Sequence, residues 1–376
     1  MPSRLIRTLI IFGTRPEAIK LFPLALELRR RQGFDVRLCA TAQHRDLLDQ
    51  ALESFGIRPD YDLDLMRPHQ TLAQATARIL AALEDVLREA RPHIVLVQGD
   101  TATTFCGALA AFYERIPVGH VEAGLRTWDR WQPFPEEMNR VLTSRLATLH
   151  FAATEWAAKN LAAEGVDPAS IHVTGNTGID AVLWVRDRLE DGTLSGRSWP
   201  ELNASRKLIL VTAHRRESFG PGFERICTAL GRLAQRPDVQ IVYPVHPNPN
   251  VREPVRALLN GRPNVLLLEP LDYVPFVDLM RRAWLLLTDS GGVQEEGPSL
   301  GKPILVMRDK TERPEAVEAG TVKLVGTDPE RIFAEAVRLL EDRQEYDRMA
   351  RVHNPYGDGR ASIRIADAIH SFFTDN

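Results

Sequence analysis

Ala283-Trp284-Leu285-Leu286-Leu287-Thr288-Asp289-Ser290-Gly291-Gly292-Val293-Gln294-Glu295-Glu296 passes from an apolar run, through a turn of small residues, into a helical pattern. The run reads as a buried strand and the turn as its joint with a helix. Backbone N–H groups at the start of such a helix have no intrahelical partners and stand at the positive end of its dipole, where a phosphate is well placed. Gly291 and Gly292 carry no Cβ, so an anion can approach the backbone closely. Glu296 lies about one helical turn further on, in a position to accept hydrogen bonds from ribose hydroxyls. A plain strand-to-helix turn with a glycine pair fits the same residues, and the rest of the chain must decide.

On both sides of this stretch, short apolar runs alternate with longer amphipathic segments. The pattern predicts strands at 5–12, 35–40, 93–98, 117–121, 149–152 and 171–173, then at 208–211, 239–245, 265–268, 284–287, 303–306 and 321–324. Helical patterns between them include 17–31, 72–91 and 223–235. Uninterrupted β runs separated by helices imply parallel strands covered on both faces. The expected fold class is α/β, with two Rossmann-like doubly wound parallel-sheet domains. A turn-rich polar stretch at 191–200 is the expected boundary, giving domains at 1–190 and 191–360. The last amphipathic segment, 361–373, either closes the second domain or crosses back to the first. The assignment adopted completes the first domain with 361–376.

The bulk composition agrees with this layout. At 376 residues the chain exceeds one ordinary core and suits two. Its apolar share of 44% and charged share of 26% are those of a globular protein. A net charge of −3 argues against a dedicated nucleic-acid surface. Cys39, Cys106 and Cys227 are scattered, lack the spacing of a zinc site or redox dithiol, and read as buried apolar residues in a reducing compartment. The opening residues carry no signal-peptide pattern, and no apolar run approaches the roughly 20 residues that span a bilayer. The expected location is cytoplasmic, away from membranes.

Six polar clusters follow predicted strands: Gly13-Thr-Arg-Pro-Glu17, Gly99-Asp-Thr101 and Glu122-Ala-Gly124 in the first half, and Thr212-Ala-His-Arg-Arg-Glu217, His246-Pro-Asn248 and Ser290-Gly-Gly292 in the second. Ligands of open α/β sheets bind beyond the carboxyl ends of the strands, so the clusters predict one cleft between two facing domains. Arg15 and Lys20 beside a helix N-terminus suggest an anion clamp, although Lys20 alone also reads as a solvated helix charge. Asp100, Glu122 and Glu136 are carboxylates on separate loops, the set from which a general acid and base are drawn. Asp100 is also a candidate helix cap, and Glu136 and Glu137 candidates for first-turn dipole stabilisation. His214, before Arg215 and Arg216, is placed to contact a diphosphate or protonate a leaving oxygen. His246 and His120 read equally well as hydrogen-bonded structural histidines. The sequence has no His-Glu-x-x-His metal site, no Gly-x-Gly-x-x-Gly dinucleotide fingerprint and no Gly-x-Ser-x-Gly elbow.

These clusters resemble the non-hydrolysing UDP-N-acetylglucosamine 2-epimerases of bacteria. The resemblance is carried by Gly13-Thr-Arg-Pro-Glu-Ala-Ile-Lys20, Ala42-Gln-His-Arg45, Gly99-Asp-Thr101, Gly119-His-Val-Glu-Ala-Gly-Leu-Arg-Thr127, Pro135-Glu-Glu137 and Asn139-Arg140. Thr174-Gly-Asn-Thr177, Ala213-His-Arg-Arg-Glu-Ser218, Thr288-Asp-Ser-Gly-Gly-Val-Gln-Glu-Glu296, Thr311-Glu-Arg-Pro-Glu315 and Asn354-Pro-Tyr-Gly-Asp-Gly359 extend it to the end of the chain. The resemblance implies two Rossmann-like domains of the GT-B architecture. It also implies interconversion of UDP-GlcNAc and UDP-ManNAc without metal or nicotinamide cofactor, by elimination of UDP to 2-acetamidoglucal and re-addition.

Carried over, it makes Asp100, Glu122 and Glu136 the acid/base carboxylates and His214 the partner of the leaving diphosphate, with Arg15 and Lys20 beside them. Ser290, Gly291, Gly292 and Glu296 would hold UDP, with Arg313 and Phe276 at the uracil end. Gln43, His69 and Gln70 match a site for a second, activating UDP-GlcNAc, although His69 stands where relatives frequently carry Arg. The family favours homodimers and supplies ManNAc units for surface polysaccharide. Other readings on the same architecture are an epimerase of a modified UDP-diacetamido sugar, a hydrolysing 2-epimerase, a GT-B glycosyltransferase and a non-catalytic sugar-nucleotide sensor.

Overall fold

Ile94-Val-Leu-Val-Gln98 is buried at every position, as a strand covered by helices on both faces must be. Such runs assemble into two sheets in the computed structural model, which describes residues 5–41, 52–53, 55–67 and 69–374. The first sheet contains β1 (Ile6–Phe12), β2 (Phe34–Ala40), β3 (Tyr61–Asp62), β4 (Ile94–Gln98), β5 (Val118–Ala123), β6 (Leu149–Ala152) and β7 (Ile171–Val173). Its order is β3-β2-β1-β4-β5-β6-β7, with every neighbouring pair parallel. The second contains β8 (Lys207–Thr212), β9 (Val239–Pro244), β10 (Val265–Leu268), β11 (Leu285–Thr288), β12 (Ile304–Val306) and β13 (Val322–Leu324). Its order is β10-β9-β8-β11-β12-β13, again all parallel.

Both are doubly wound α/β sheets of Rossmann-like order. In each, the winding reverses between its first and fourth strands, β1 and β4 in one, β8 and β11 in the other. That reversal opens a crevice at the strand ends, where ligands of such sheets bind. The helices follow from apolar spacing. In Leu72–Ala90, Ile79, Leu83, Val86, Leu87 and Ala90 form one buried stripe, and Arg91 in the left-handed conformation (φ 44°) ends the helix. The two-residue β3 was not expected; it is too short to show an alternation. Helix Arg15–Arg30 begins at Arg15 behind the cap Thr14, and Pro16 takes the second helical position, where its missing N–H costs no helical bond.

The chain divides into two units, Met1–Ala181 with Tyr356–Asn376, and Val182–Pro355. The division falls inside helix Thr177–Glu190, and the chain returns to the first unit at its end. Helix Ala361–Thr374 packs on Arg15–Arg30 and buries Ile365, Ala366 and Ile369. Asp180 accepts the N–H groups of Ala361 and Ser362 at 3.1 and 3.0 Å, satisfying donors at the helix start. Asn176 N donates to Tyr356 O at 2.8 Å, and Arg31 pairs with Asp367 at 2.6 Å. All three cysteines are buried and unpaired, and burial pushes each thiol up to about 12. No described helix is long and apolar enough to cross a membrane.

Candidate active site

In the first unit the turns after β1 and β4 are held by a buried carboxylate. Glu17 Oε2 accepts from the backbone N–H groups of Gly13 and Thr14 at 3.0 and 2.7 Å. Its Oε1 accepts from the hydroxyls of Thr101 and Thr104 at 2.7 and 3.1 Å. The capping box at Thr14 therefore also ties the β1 turn to the β4 turn. Burial raises the Glu17 pKa, with these hydrogen bonds pulling the other way. Gly13 fits because a Cβ there would lie 2.2 Å from Thr103 Oγ1 and 2.5 Å from Thr41 Oγ1. Arg15 stands at the first helical position behind this turn.

Glu122 sits in a β-bulge between Val121 and Ala123, with φ at +62°. That conformation is unusual outside glycine. Its Oε2 receives Lys20 Nζ at 2.5 Å and Gln98 Nε2 at 2.7 Å. Lys20 is thus a largely buried partner of Glu122 and not a solvated helix charge. Gly124, at φ +92°, fits because a Cβ would lie 2.2 Å from Ala157 O.

Asp100 does not cap the following helix; Thr101 does, accepting from Thr104 N. The Asp100 carboxylate instead pairs with Arg140, and its backbone carbonyl accepts from Asn139 Nδ2 at 2.8 Å. Glu137 pairs with Arg140 at 3.0 Å and accepts the N–H groups of Thr127 and Trp128. Glu136, beside it at the first helical position, is half-buried and makes no hydrogen bond or ion pair among the described residues. His120 is fully buried with Nε2 at 2.8 Å from Gly99 O, and burial drives its pKa down to about 3. It is a structural, neutral imidazole.

In the second unit a fully buried carboxylate again organises the loops. Asp289 Oδ2 accepts the N–H groups of His214 and Arg215, both at 2.7 Å. His214 Nδ1 stands 3.3 Å from Asp289 Oδ1, and its ring stacks on His246 with centroids 5.5 Å apart. Burial, and then the neighbouring His214, lower the His246 pKa. Ser290 N donates to Thr288 Oγ1, whose partner is Thr212 Oγ1 on the adjacent strand. The Ser290 hydroxyl makes no capping bond to helix Gly291–Glu296. Arg313 lies across that turn: a Cβ on Gly291 would fall 2.6 Å from its Cζ. Glu295 Oε1 holds Arg313 Nε at 2.7 Å, and Glu312 holds Nη1 at 3.3 Å. Burial tends to raise the Glu312 pKa, but Arg308 and Arg313 outweigh it and bring it to about 2. Glu296 ends the short helix, and Phe276 is half-buried on helix Tyr273–Arg282.

Comparison with known proteins decides what these turns belong to. Residues 26–370 match the family model described as UDP-N-acetylglucosamine 2-epimerase. The chain belongs to this family. The UDP-N-acetylglucosamine 2-epimerase of Salmonella typhimurium is 58% identical over 371 residues, 97% of this chain and 99% of that protein. The crystal structure of UDP-GlcNAc 2-epimerase from Neisseria meningitidis bound to UDP-GlcNAc superposes with a TM-score of 0.90 at 48% identity, covering 97% of this chain and all (100%) of that one. The Methanocaldococcus jannaschii UDP-GlcNAc 2-epimerase in complex with UDP-GlcNAc and UDP gives 0.77 at 33% identity, covering 97% and 99%.

Within this 2-epimerase chain the first unit brings Arg15, Lys20, Asp100 and Glu122 to the turns after β1, β4 and β5, and Glu136 opens the helix whose Arg140 pairs with Asp100. The second brings His214, Ser290, Gly291, Gly292 and Arg313 to the turns after β8, β11 and β12, with Glu296 at the far end of the short helix and Phe276 on helix Tyr273–Arg282. Gln43 lies outside the described residues. His69, at φ +57°, and Gln70, whose Nε2 meets Met66 Sδ, precede the helix that Thr71 caps. Among the described residues no group of three or more His, Cys, Asp or Glu is placed to hold a metal ion. Glu17, Gln98, Arg140 and Asp289 were given no individual role from the sequence, and Glu137 was read only as a candidate for first-turn dipole stabilisation. Pro-Glu-Glu and Asn-Arg flagged the helix of Glu137 and Arg140, but their partners are remote along the chain.

Proposed function

We propose that this 2-epimerase interconverts UDP-GlcNAc and UDP-ManNAc without hydrolysis. The reading is carried by Asp100 and Glu122, two carboxylates at neighbouring strand ends, each held through one oxygen by a largely buried cation. The C2 proton of the sugar is not acidified by a carbonyl, so direct abstraction is slow. Elimination avoids this: a base takes the C2 proton, the C2–H electrons form the C1–C2 double bond, and the C1–O electrons leave with UDP. Reprotonation of 2-acetamidoglucal on the opposite face and return of UDP to C1 give the epimer.

In this scheme Asp100, Glu122 and Glu136 share the proton transfers at C2. His214, Arg15 and the turn at Ser290, Gly291 and Gly292 stabilise charge on the departing diphosphate. Glu296 accepts from the ribose, with Arg313 and Phe276 toward the uracil. Lys20 acts through Glu122 rather than directly on phosphate. The names of the Neisseria and Methanocaldococcus structures support UDP-GlcNAc and UDP as ligands. Cytoplasmic supply of ManNAc units for surface polysaccharide, a homodimer, and a second UDP-GlcNAc near Gln43, His69 and Gln70 extend the same proposal.

Proton NMR of the protein with UDP-GlcNAc in D₂O tests it. UDP-ManNAc carrying deuterium at C2 is the expected product. Free ManNAc with UDP would mean a hydrolase, and an unchanged spectrum would reject UDP-GlcNAc as the substrate.

A further inference from the structure

A chain of charge connects the exposed loop at 127–134 to Asp100. Glu137, with its side chain 3% exposed, accepts the N–H groups of Thr127 and Trp128 on Oε1, each at 3.0 Å. Its Oε2 accepts from Arg140 Nη1 at 3.0 Å. Arg140 presents the other edge of its guanidinium to Asp100, with Nε at 2.9 Å and Nη2 at 2.7 Å, both on Oδ2. Among the described residues, Oδ1 of Asp100 takes no hydrogen bond, and the side chain is 26% exposed.

The geometry points to Arg140 as a positioning residue for Asp100, with Glu137 as the support that orients Arg140 and couples it to the loop. The inference rests on the reading of Asp100 as an acid–base group. A planar guanidinium gripping one carboxylate oxygen from two nitrogens anchors that oxygen and so restrains the Asp100 rotamer, while Oδ1 is left without a protein donor among the described residues. Without that grip the side chain samples other rotamers, and alignment with a C–H bond is lost. Arg140 is itself confined from the far side by Glu137, so its guanidinium cannot swing to solvent.

Two observations separate Glu137 from an ordinary acidic residue in a first helical turn. Its bonds run backward to the loop as well as along the helix. The loop residue it holds, Trp128, has φ at +64° with its side chain largely in solvent. A bulky residue in the left-handed region is strained unless its surroundings hold it, and Glu137 accepting its N–H is such a hold. The loop and Asp100 therefore share one anchor.

A double-mutant cycle tests this, read as kcat, KM and the rate of solvent deuterium entry at C2 of UDP-GlcNAc. Arg140→Met should lower kcat by ~10²-fold while KM changes little, the scale of a lost alignment. Arg140→Lys, which restores the charge but not the fork, should recover part of that loss. In an Asp100→Asn background, Arg140→Met should cause no further loss. Glu137→Gln should slow turnover in the same Asp100-dependent way, and with Arg140→Lys it completes the cycle if Arg140→Met fails to fold.

Equal losses from Arg140→Met with and without Asp100 would overturn the positioning role while leaving Asp100 catalytic. Unchanged kcat in Arg140→Met would overturn it equally. Full activity in Asp100→Asn alone would overturn the acid–base reading of Asp100, and the inference with it.

Discussion

Asp100 follows β4 and His120 lies within the neighbouring β5, yet their surroundings suit them to opposite tasks. Asp100 keeps an accessible oxygen, and Asp100→Asn should retain UDP affinity while losing roughly 10²- to 10⁴-fold in epimerisation, measured by deuterium entry at C2 and by titration calorimetry with UDP. Loss of both together would make it structural. His120 is held neutral: its pKa falls from an ordinary 6.5 to about 3 on folding. The unfolded chain then binds a proton that the folded chain refuses, so this residue's contribution to stability is intact above pH 6.5 and declines as pH falls toward 3. Between pH 7 and pH 5 the decline amounts to roughly 2 kcal/mol. Urea midpoints at the two pH values should show it in the native protein and show less of it in His120→Asn. Residue type and strand-end placement made Asp100, Glu122 and His214 candidates from sequence. Gln98 and Arg140 were assigned no role and Glu137 only a dipole role, because their bonds to Glu122, Asp100 and the 127–128 loop join separate segments.

The turn before helix Gly291–Glu296 shows how an element is specified by what crosses it. Two glycines after an apolar strand predict close approach to the backbone, and the structure adds that Arg313 already makes one such approach. Gly291→Val would drive a side chain into the Arg313 guanidinium and break its contact with Glu295. UDP affinity should fall tenfold or more, about the scale of one lost charge-assisted bond; unchanged affinity would place the nucleotide elsewhere. Strands buried on both faces announce themselves by continuous apolar runs, which is why β1, β4, β8, β9 and β11 were readable. The bulge that sets φ at +62° in Glu122 leaves no such trace, since nothing in Val-Glu-Ala-Gly marks which residue takes the strain. A two-residue strand such as Tyr61–Asp62 lies below what periodicity can register.

At the scale of the whole chain, the C-terminal helix was the ambiguous element. An amphipathic segment shows that it has a face to bury, not against which partner. The structure places that face on helix Arg15–Arg30, with Asp180 at its start and Arg31 against Asp367. A chain ending at Pro355 would strip the fully buried Ile365 and Ile369 from the first unit. Burial of two such side chains stabilises by about 3–6 kcal/mol, so its melting transition by calorimetry should drop by on the order of 10 °C. An unchanged transition would mean the helix contributes little. The same connectivity has a consequence during synthesis. The second unit lies wholly between two stretches of the first, so a ribosome finishes it before it releases the residues that complete the first. The stretch made before the second unit is the part obliged to wait, with one face of helix Arg15–Arg30 uncovered until residues 356–376 emerge.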